Sequence, residues 1–521
     1  MNTIVILFLT FFPTRFINIE CHVSNIFIFE LPTVVLLKLA NTLKELEIVY
    51  DANVDLVRLP SDYNNYENNE DGTADNETFR SIWHTSRLTF DAFKSLNTVL
   101  STCHQLEYIR YVNPHYYDIS SSSRSAIFTN KDDEALCLSL KHLELAFAGI
   151  ENVDHILKRC PNLQILRLEA LAHTVRAPVL DSIQRYCPRL QYLSFNYHHD
   201  LLYGKRLYDH YYAKSSIFNN RNIATITQNS QPQSSQQSSS SSSSSLTQLN
   251  ISIRDMDYVI PLINRHADTI EQMSLSDEPI YDPQLLSVRQ MDRLVSLIVN
   301  RVRYPQALAT LIPKLPSLRN LEFYNTRMTG NTFISALKNV NTLEKLTIHG
   351  KISADMREIT SLFHAYAEAS MVPTVNEQGE KTTSDCTTGP NGRQKLAHVS
   401  LIECTFLENR VLEALANIKT LSSVTIENAT GMSGNGIDSF CEQLNWLPEL
   451  TSITLSGLAC VDDTTLSILA SSPRRRRAES RDVVKTITLK SLPNVTKRGL
   501  DRLSKKQGVS LTSYNCGGGR F

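Results

Sequence analysis

The 521 residues lack the short signatures that expose catalysis. There is no P-loop, no GxSxG, no HExxH, no GxGxxG after a strand and no CxxC pair. No catalytic residue, metal ligand or cofactor is therefore assigned, and the chain reads as a non-enzyme. Charge of one sign is lacking too: the formal net charge is −1, so no whole-chain field draws the protein toward nucleic acid or an anionic membrane, and neither is expected as a partner. The apolar run Ile4–Phe12 is far shorter than the ~20 residues that span a bilayer. No Lys or Arg precedes it, as one would in a secretory signal. Residues 1–22 read instead as an apolar N-terminal cap or a gene-model artefact.

What is present is one phrase, apolar-x-x-apolar-x-apolar. It reads Leu140/Leu143/Leu145, Leu163/Leu166/Leu168, Leu190/Leu193/Phe195, Leu246/Leu249/Ile251, Ile270/Met273/Leu275 and Leu294/Leu297/Val299. It continues as Leu318/Leu321/Phe323, Leu343/Leu346/Ile348, Leu396/Val399/Leu401, Leu421/Val424/Ile426, Leu450/Ile453/Leu455 and Val484/Ile487/Leu489. Upstream, Leu43/Leu46/Ile48 and Leu106/Ile109/Tyr111 fit it, and Val23/Ile26/Ile28 fits loosely. Phe79/Ile82/His84 and Leu511/Tyr514/Cys516 are weak matches. First positions at 246, 270, 294, 318 and 343 give a period of 24 to 25 residues. A repeat of that length is a unit that buries its apolar face only against its neighbours.

The last three positions of each phrase alternate with period two, so each predicts a short strand. Between phrases the spacing turns helical, as in Ile150/Val153/Ile156/Cys160, Val411/Leu412/Leu415/Ile418 and Ile437/Phe440/Cys441/Leu444. The fold class is therefore α/β: a right-handed solenoid, horseshoe-like, with a parallel concave sheet and outer helices over residues 23–516, and a tail at 517–521. Polar segments near 60–78, 113–134, 214–245 and 372–394 break the period and read as disordered insertions. The phrase resumes at Leu246, directly after the serine run that ends at Ser245.

Cys103, Cys160 and Cys187 each lie three residues before the first apolar residue of a phrase. A small thiol at a tight corner reads as buried rather than disulfide-bonded, which favours a reducing compartment, cytoplasmic and/or nuclear. The corner Cys-Pro-x-Leu-x-x-Leu-x-Leu, in Cys160–Leu168 and Cys187–Phe195, resembles the cysteine-containing leucine-rich repeat of F-box/LRR proteins. Val461–Leu469 and Val495–Leu503 resemble the companion segment that opens the helix, where Asp or Thr caps its N-terminus. The repeats are degenerate, since Thr326, Lys351, Ala429 and Leu458 stand where the family has Asn or Cys, and Cys404 alone of these positions matches. Repeat phrases flank Leu31-Pro32 closely enough to leave no room for an F-box.

The resemblance implies a substrate-recognition or adaptor protein in ubiquitin-dependent degradation, binding a protein substrate or partner on the concave face, within a cullin–RING ligase complex. Docking onto that ligase carries over to no residue here. The rival readings are an LRR scaffold with no ubiquitin link and a secreted or surface LRR receptor, the latter needing cleavage after the apolar N-terminus and glycan on Asn76. The candidate contact residues are the outward middle positions Arg167, Ser194, Glu322, Thr347, Ser400, Thr425, Thr454 and Thr488, with Tyr197 and His198 from the aromatic and polar cluster that follows Tyr192. The run Arg474–Arg477 reads as a solvated loop.

Overall fold

The computed structural model describes residues 7–11, 16–22, 44–51, 99–112, 136–146, 150–169, 177–196, 246–252, 256–276, 286–300, 305–324, 331–350, 356–370, 396–404, 407–471, 485–506 and 509–516. They divide into two units, Met1–Leu246 and Thr247–Phe521. The segments near 60–78, 113–134, 214–245 and 372–394, the run Arg474–Arg477 and the phrases at Val23 and Phe79 lie outside the described residues.

In the first unit β1 (Leu7–Phe11) and β2 (Phe16–His22) pair antiparallel, being separated by too few residues for a parallel crossover. Both fall within 1–22. From β2 onward the pairing is parallel, each strand beside its successor: β3 (Glu45–Asp51), β4 (Tyr108–Val112), β5 (His142–Ala146), β6 (Ile165–Glu169) and β7 (Tyr192–Asn196). In the second unit the same succession runs through β8 (Gln248–Ser252), β9 (Gln272–Ser276), β10 (Ser296–Asn300), β11 (Asn320–Tyr324) and β12 (Lys345–His349). It continues through β13 (His398–Ile402), β14 (Ser423–Glu427), β15 (Ser452–Ser456), β16 (Lys485–Lys490) and β17 (Val509–Tyr514). Sequential parallel strands with helices between them and an unclosed sheet make this a leucine-rich-repeat solenoid.

One unit shows why the phrase folds this way. Leu321 and Phe323 of β11 are buried on the helix side, while Asn320, Glu322 and Tyr324 alternate to the other face. Helix Asn331–Lys338 turns Phe333, Ile334 and Leu337 into the same core, and the Phe323 and Phe333 rings meet edge to face at 5.3 Å. The first apolar residue closes the corner from helix to strand. Its amide bonds the carbonyl three residues back: Leu106 to Cys103, Leu163 to Cys160, Leu190 to Cys187 and Leu318 to Leu315, each at 3.2 Å.

Two further devices tie unit to unit. Where strands begin, a polar side chain just before the phrase donates to the carbonyl of the preceding unit: Ser139 Oγ to Leu106 (2.8 Å), Asn162 Nδ2 to Leu138 (2.8 Å), Thr342 Oγ1 to Leu318 (2.6 Å) and Thr420 Oγ1 to Leu396 (2.8 Å). Where strands end, a residue turns left-handed, namely Gly350, Glu403, Asn428, Gly457 and Ser491. Its amide then donates to a carbonyl of the following strand. Of the positions where the family has Asn or Cys, Cys404, Ala429 and Leu458 are buried, and Thr326 and Lys351 lie outside the described residues.

The helix-opening segments cap as their sequence implies. Asp462 accepts from the Thr464 and Thr465 amides and forms a capping box with Thr465, and Thr496 Oγ1 accepts from the Gly499 amide. The last unit is shifted from expectation. β17 sets Leu511 beside Ile487 and Ser513 beside Leu489, so Tyr514 faces outward, 58% exposed, instead of completing the phrase.

The corner cysteines are buried, as their position predicts. Cys103, Cys137, Cys160, Cys187, Cys404 and Cys441 are free and buried. Burial pushes the Cys103 thiol up to about 11 and those of Cys187 and Cys404 up to about 12, and raises Cys137, Cys160 and Cys441 as well. The thiolate is the reactive form. In the folded chain at pH 8 these six thiols are expected to react with an aromatic disulfide reagent at least about a hundredfold more slowly than in denaturant. Fast labelling of the native protein at any of these positions would contradict that assignment.

Candidate functional site

Among the described residues, alternation leaves one face of the strands in each unit bare of helices, and the residues there differ between the units. In the first unit the middle row runs Arg110, Glu144, Arg167, Ser194 across β4 to β7. Glu144 is its hub. His142 Nε2 lies 2.9 Å and Arg167 Nη1 3.2 Å from Glu144 Oε1, and Arg110 Nε lies 3.5 Å from Oε2. Burial alone would raise the Glu144 carboxyl, but the His142 hydrogen bond and the charges of His142, Arg167 and Arg110 hold it below the usual carboxylate range. The Arg167 guanidinium lies over the Tyr192 ring at 5.3 Å, and the Tyr108 and His142 rings meet edge to face at 4.7 Å. At the strand starts, Lys141 and Lys44 share Glu107. The Lys141 hydrogen bond, with help from Lys44, keeps that carboxyl ionised to lower pH than usual.

The second unit presents a face of hydroxyls and amides. Its middle row is Asn250, Ser274, Ile298, Glu322, Thr347, Ser400, Thr425, Thr454, Thr488 and Thr512. Toward the strand ends, Asn300, Tyr324 and His349 stand side by side in register. The Tyr324 hydroxyl donates to Glu322 Oε2 at 2.9 Å, and Lys345 pairs with the same carboxylate. Burial, aided by Glu322, pushes the Tyr324 phenol far above its ordinary value, so it is a neutral donor at any physiological pH.

Among the described residues, three buried side-chain polar atoms on these faces have no hydrogen-bond partner: Arg167 Nε in the first unit, and Asn300 Oδ1 and His349 Nδ1 in the second. A buried polar atom left unpaired costs about 1–3 kcal/mol, so a group that completes it is favoured.

Eight of the ten candidate contact residues lie on the two faces, in register. Arg167, Glu322, Ser400, Thr425, Thr454 and Thr488 are partly exposed. Ser194 and Thr347 hold the same register but are only 2% and 5% exposed. Tyr197 and His198 lie outside the described residues. Sequence reasoning missed Asn300, Tyr324 and His349, one step beyond the last apolar residue of their phrases. The outward turn that strand alternation requires there was the available signal. Among the described residues no group of three or more His, Cys, Asp or Glu could hold a metal ion, and no helix is long and apolar enough to cross a membrane.

No protein-family model matches the sequence, and no curated protein matches it either. Among solved structures the chain is similar to the yeast Rad7–Elc1 complex, at 14% identity over 73% of this chain and 75% of the other, with a TM-score of 0.40. It is also similar to a TLR13–ssRNA13 complex, at 12% identity over 79% of this chain, with a TM-score of 0.36, and spans about half (49%) of that chain's length. A Bacteroides fragilis protein matches at 11% identity over 61% of this chain and 84% of its own, with a TM-score of 0.28. Identities and TM-scores this low transfer neither partner nor activity.

Proposed function

We propose that the chain is a non-enzymatic protein-binding solenoid, and that it acts as a substrate-recognition or adaptor protein of the F-box/LRR type in ubiquitin-dependent degradation, in the cytoplasm and/or nucleus. The observation that carries the binding part is the set of unpartnered polar atoms on the helix-free faces, Arg167 Nε, Asn300 Oδ1 and His349 Nδ1. The aromatic and arginine cluster around Arg167 and Tyr192 supports it, because Tyr and Arg are over-represented where truncation costs most at interfaces. The ligase part rests on the resemblance of the cysteine-bearing corners. The free, buried cysteines fit a reducing compartment. The scaffold reading keeps the same face and drops only the ligase.

Expression of the tagged full chain in a eukaryotic cell, with co-purifying proteins identified by mass spectrometry, tests both parts. The double substitution Thr425→Arg/Thr454→Arg plants two long cations on neighbouring strands of the face and is expected to deplete the recovered set at least about tenfold while the thermal midpoint holds. An unchanged set would remove the face from the function. Recovery of cullin and Skp-type subunits supports the ligase role. Their absence beside other face-dependent partners leaves the scaffold.

A further inference from the structure

The chemistry of the partner can be narrowed at Asn300, Tyr324 and His349, an inference that rests on the helix-free face being the binding surface. The three residues share one register position on β10, β11 and β12, and the Tyr324 and His349 ring centroids are 5.3 Å apart. His349 Nε2 faces Glu403 Oε2 at 3.9 Å. A carboxylate on that side draws the imidazole proton to Nε2 and leaves Nδ1 its lone pair. His349 Nδ1 and Asn300 Oδ1 are thus two buried acceptors, both unpartnered. What the cluster lacks is donors. Among the described residues its ion pairs point the same way: Lys345 is matched to Glu322, and Glu403 faces the His349 imidazole.

We propose that this cluster is a subsite for an arginine side chain of a polypeptide partner, with the guanidinium lying against Tyr324 and donating to Asn300 Oδ1 and His349 Nδ1. The backbones of β10 and β12 are roughly 9–10 Å apart at ~4.8 Å per strand, with Tyr324 between them. The bound group must therefore donate in two directions from above a ring. A guanidinium offers five N–H donors in a planar fork and stacks on aromatic faces, whereas an ammonium is a compact, strongly hydrated point donor. A carboxylate or an alkyl group would leave both acceptors unpaired, and a carboxylate would also face Glu403.

The test is retention of the purified full chain, at physiological salt, on immobilised nonapeptide pools that are randomised except for a fixed central Arg, Lys, Ala or Glu. The Arg pool is expected to hold the protein at least about tenfold more strongly than the Ala pool, with the Lys pool between them. Asn300→Leu/His349→Leu is expected to abolish the preference. Glu403→Lys, at an exposed strand end, is expected to weaken it several-fold and keeps the test decisive if the double variant fails to fold. Equal retention of the Arg and Ala pools, retention of no pool, or an Arg preference untouched by Glu403→Lys overturns the assignment. If another pool is preferred and Thr425→Arg/Thr454→Arg abolishes that preference, the binding face stands and only the arginine is wrong. If no pool binds and those two substitutions also leave the recovered cellular partners unchanged, the face itself is wrong.

Discussion

Phe323→Ala lowers the stability of the second unit by about 3–5 kcal/mol, the range for emptying a packed aromatic site. Phe323 is 1% exposed, and its ring meets Phe333 of the following helix. The neighbouring apolar side chains in register, Val299 and Ile348, belong to β10 and β12 and cannot collapse into the space without shifting their own strands. In a solenoid each unit touches only its neighbours, so the loss is local in origin. Hydrogen exchange should show β10 to β12 losing protection first and β16 least, and urea titration should show the midpoint falling. Phe323→Leu keeps most of the volume and should cost about a third as much. A Phe323→Ala penalty below about 1 kcal/mol would mean that this layer is not close-packed.

Gly499→Ala destabilises by about 1–3 kcal/mol, against the sign that helix propensity predicts. Gly499 lies in the first turn of helix Lys497–Ser504, where alanine would ordinarily gain up to about 1 kcal/mol. A Cβ there would fall 2.2 Å from Asp463 Oδ1 and 3.2 Å from Leu466 Cδ1. Asp463 is held in place, because its carboxylate accepts from the Thr496 amide at 2.8 Å and from the Thr496 hydroxyl. Thr496 in turn caps the helix through the Gly499 amide. A double-mutant cycle with Asp463→Ala measures the coupling: Gly499→Ala should become neutral or stabilising once the carboxylate is gone. Equal cost in both backgrounds would place the clash elsewhere.

Much of this architecture was legible because the phrase carries its own register. Leu318, Leu321 and Phe323 predict where the corner closes and which residues of β11 face inward, and Val461-Asp462-Asp463 predicts a capped helix; both are found. The last strand was misread because Leu511 is the second apolar position of its phrase, not the first, and the polar Ser513 fills the third. Exposure on the face was harder to read. Ser194 and Thr347 hold outward positions, yet each is a short side chain in register with a longer one, Arg167 and Glu322 respectively. The unpaired atoms at Asn300 and His349 could not be inferred from spacing, since hydrogen-bond satisfaction depends on neighbours that only the sheet brings together.

The ties between units also give the chain a direction of assembly. At the strand starts, Ser139, Asn162, Thr342 and Thr420 all donate to carbonyls that precede them in the chain. During synthesis each of these donors meets an acceptor already in place, so that margin of the sheet can close as the polypeptide emerges. At the strand ends the amides of Gly350, Glu403, Asn428, Gly457 and Ser491 donate to strands made later. That margin stays open by one unit until the next strand arrives, so the nascent protein carries a single moving set of unmet backbone donors along its growing edge.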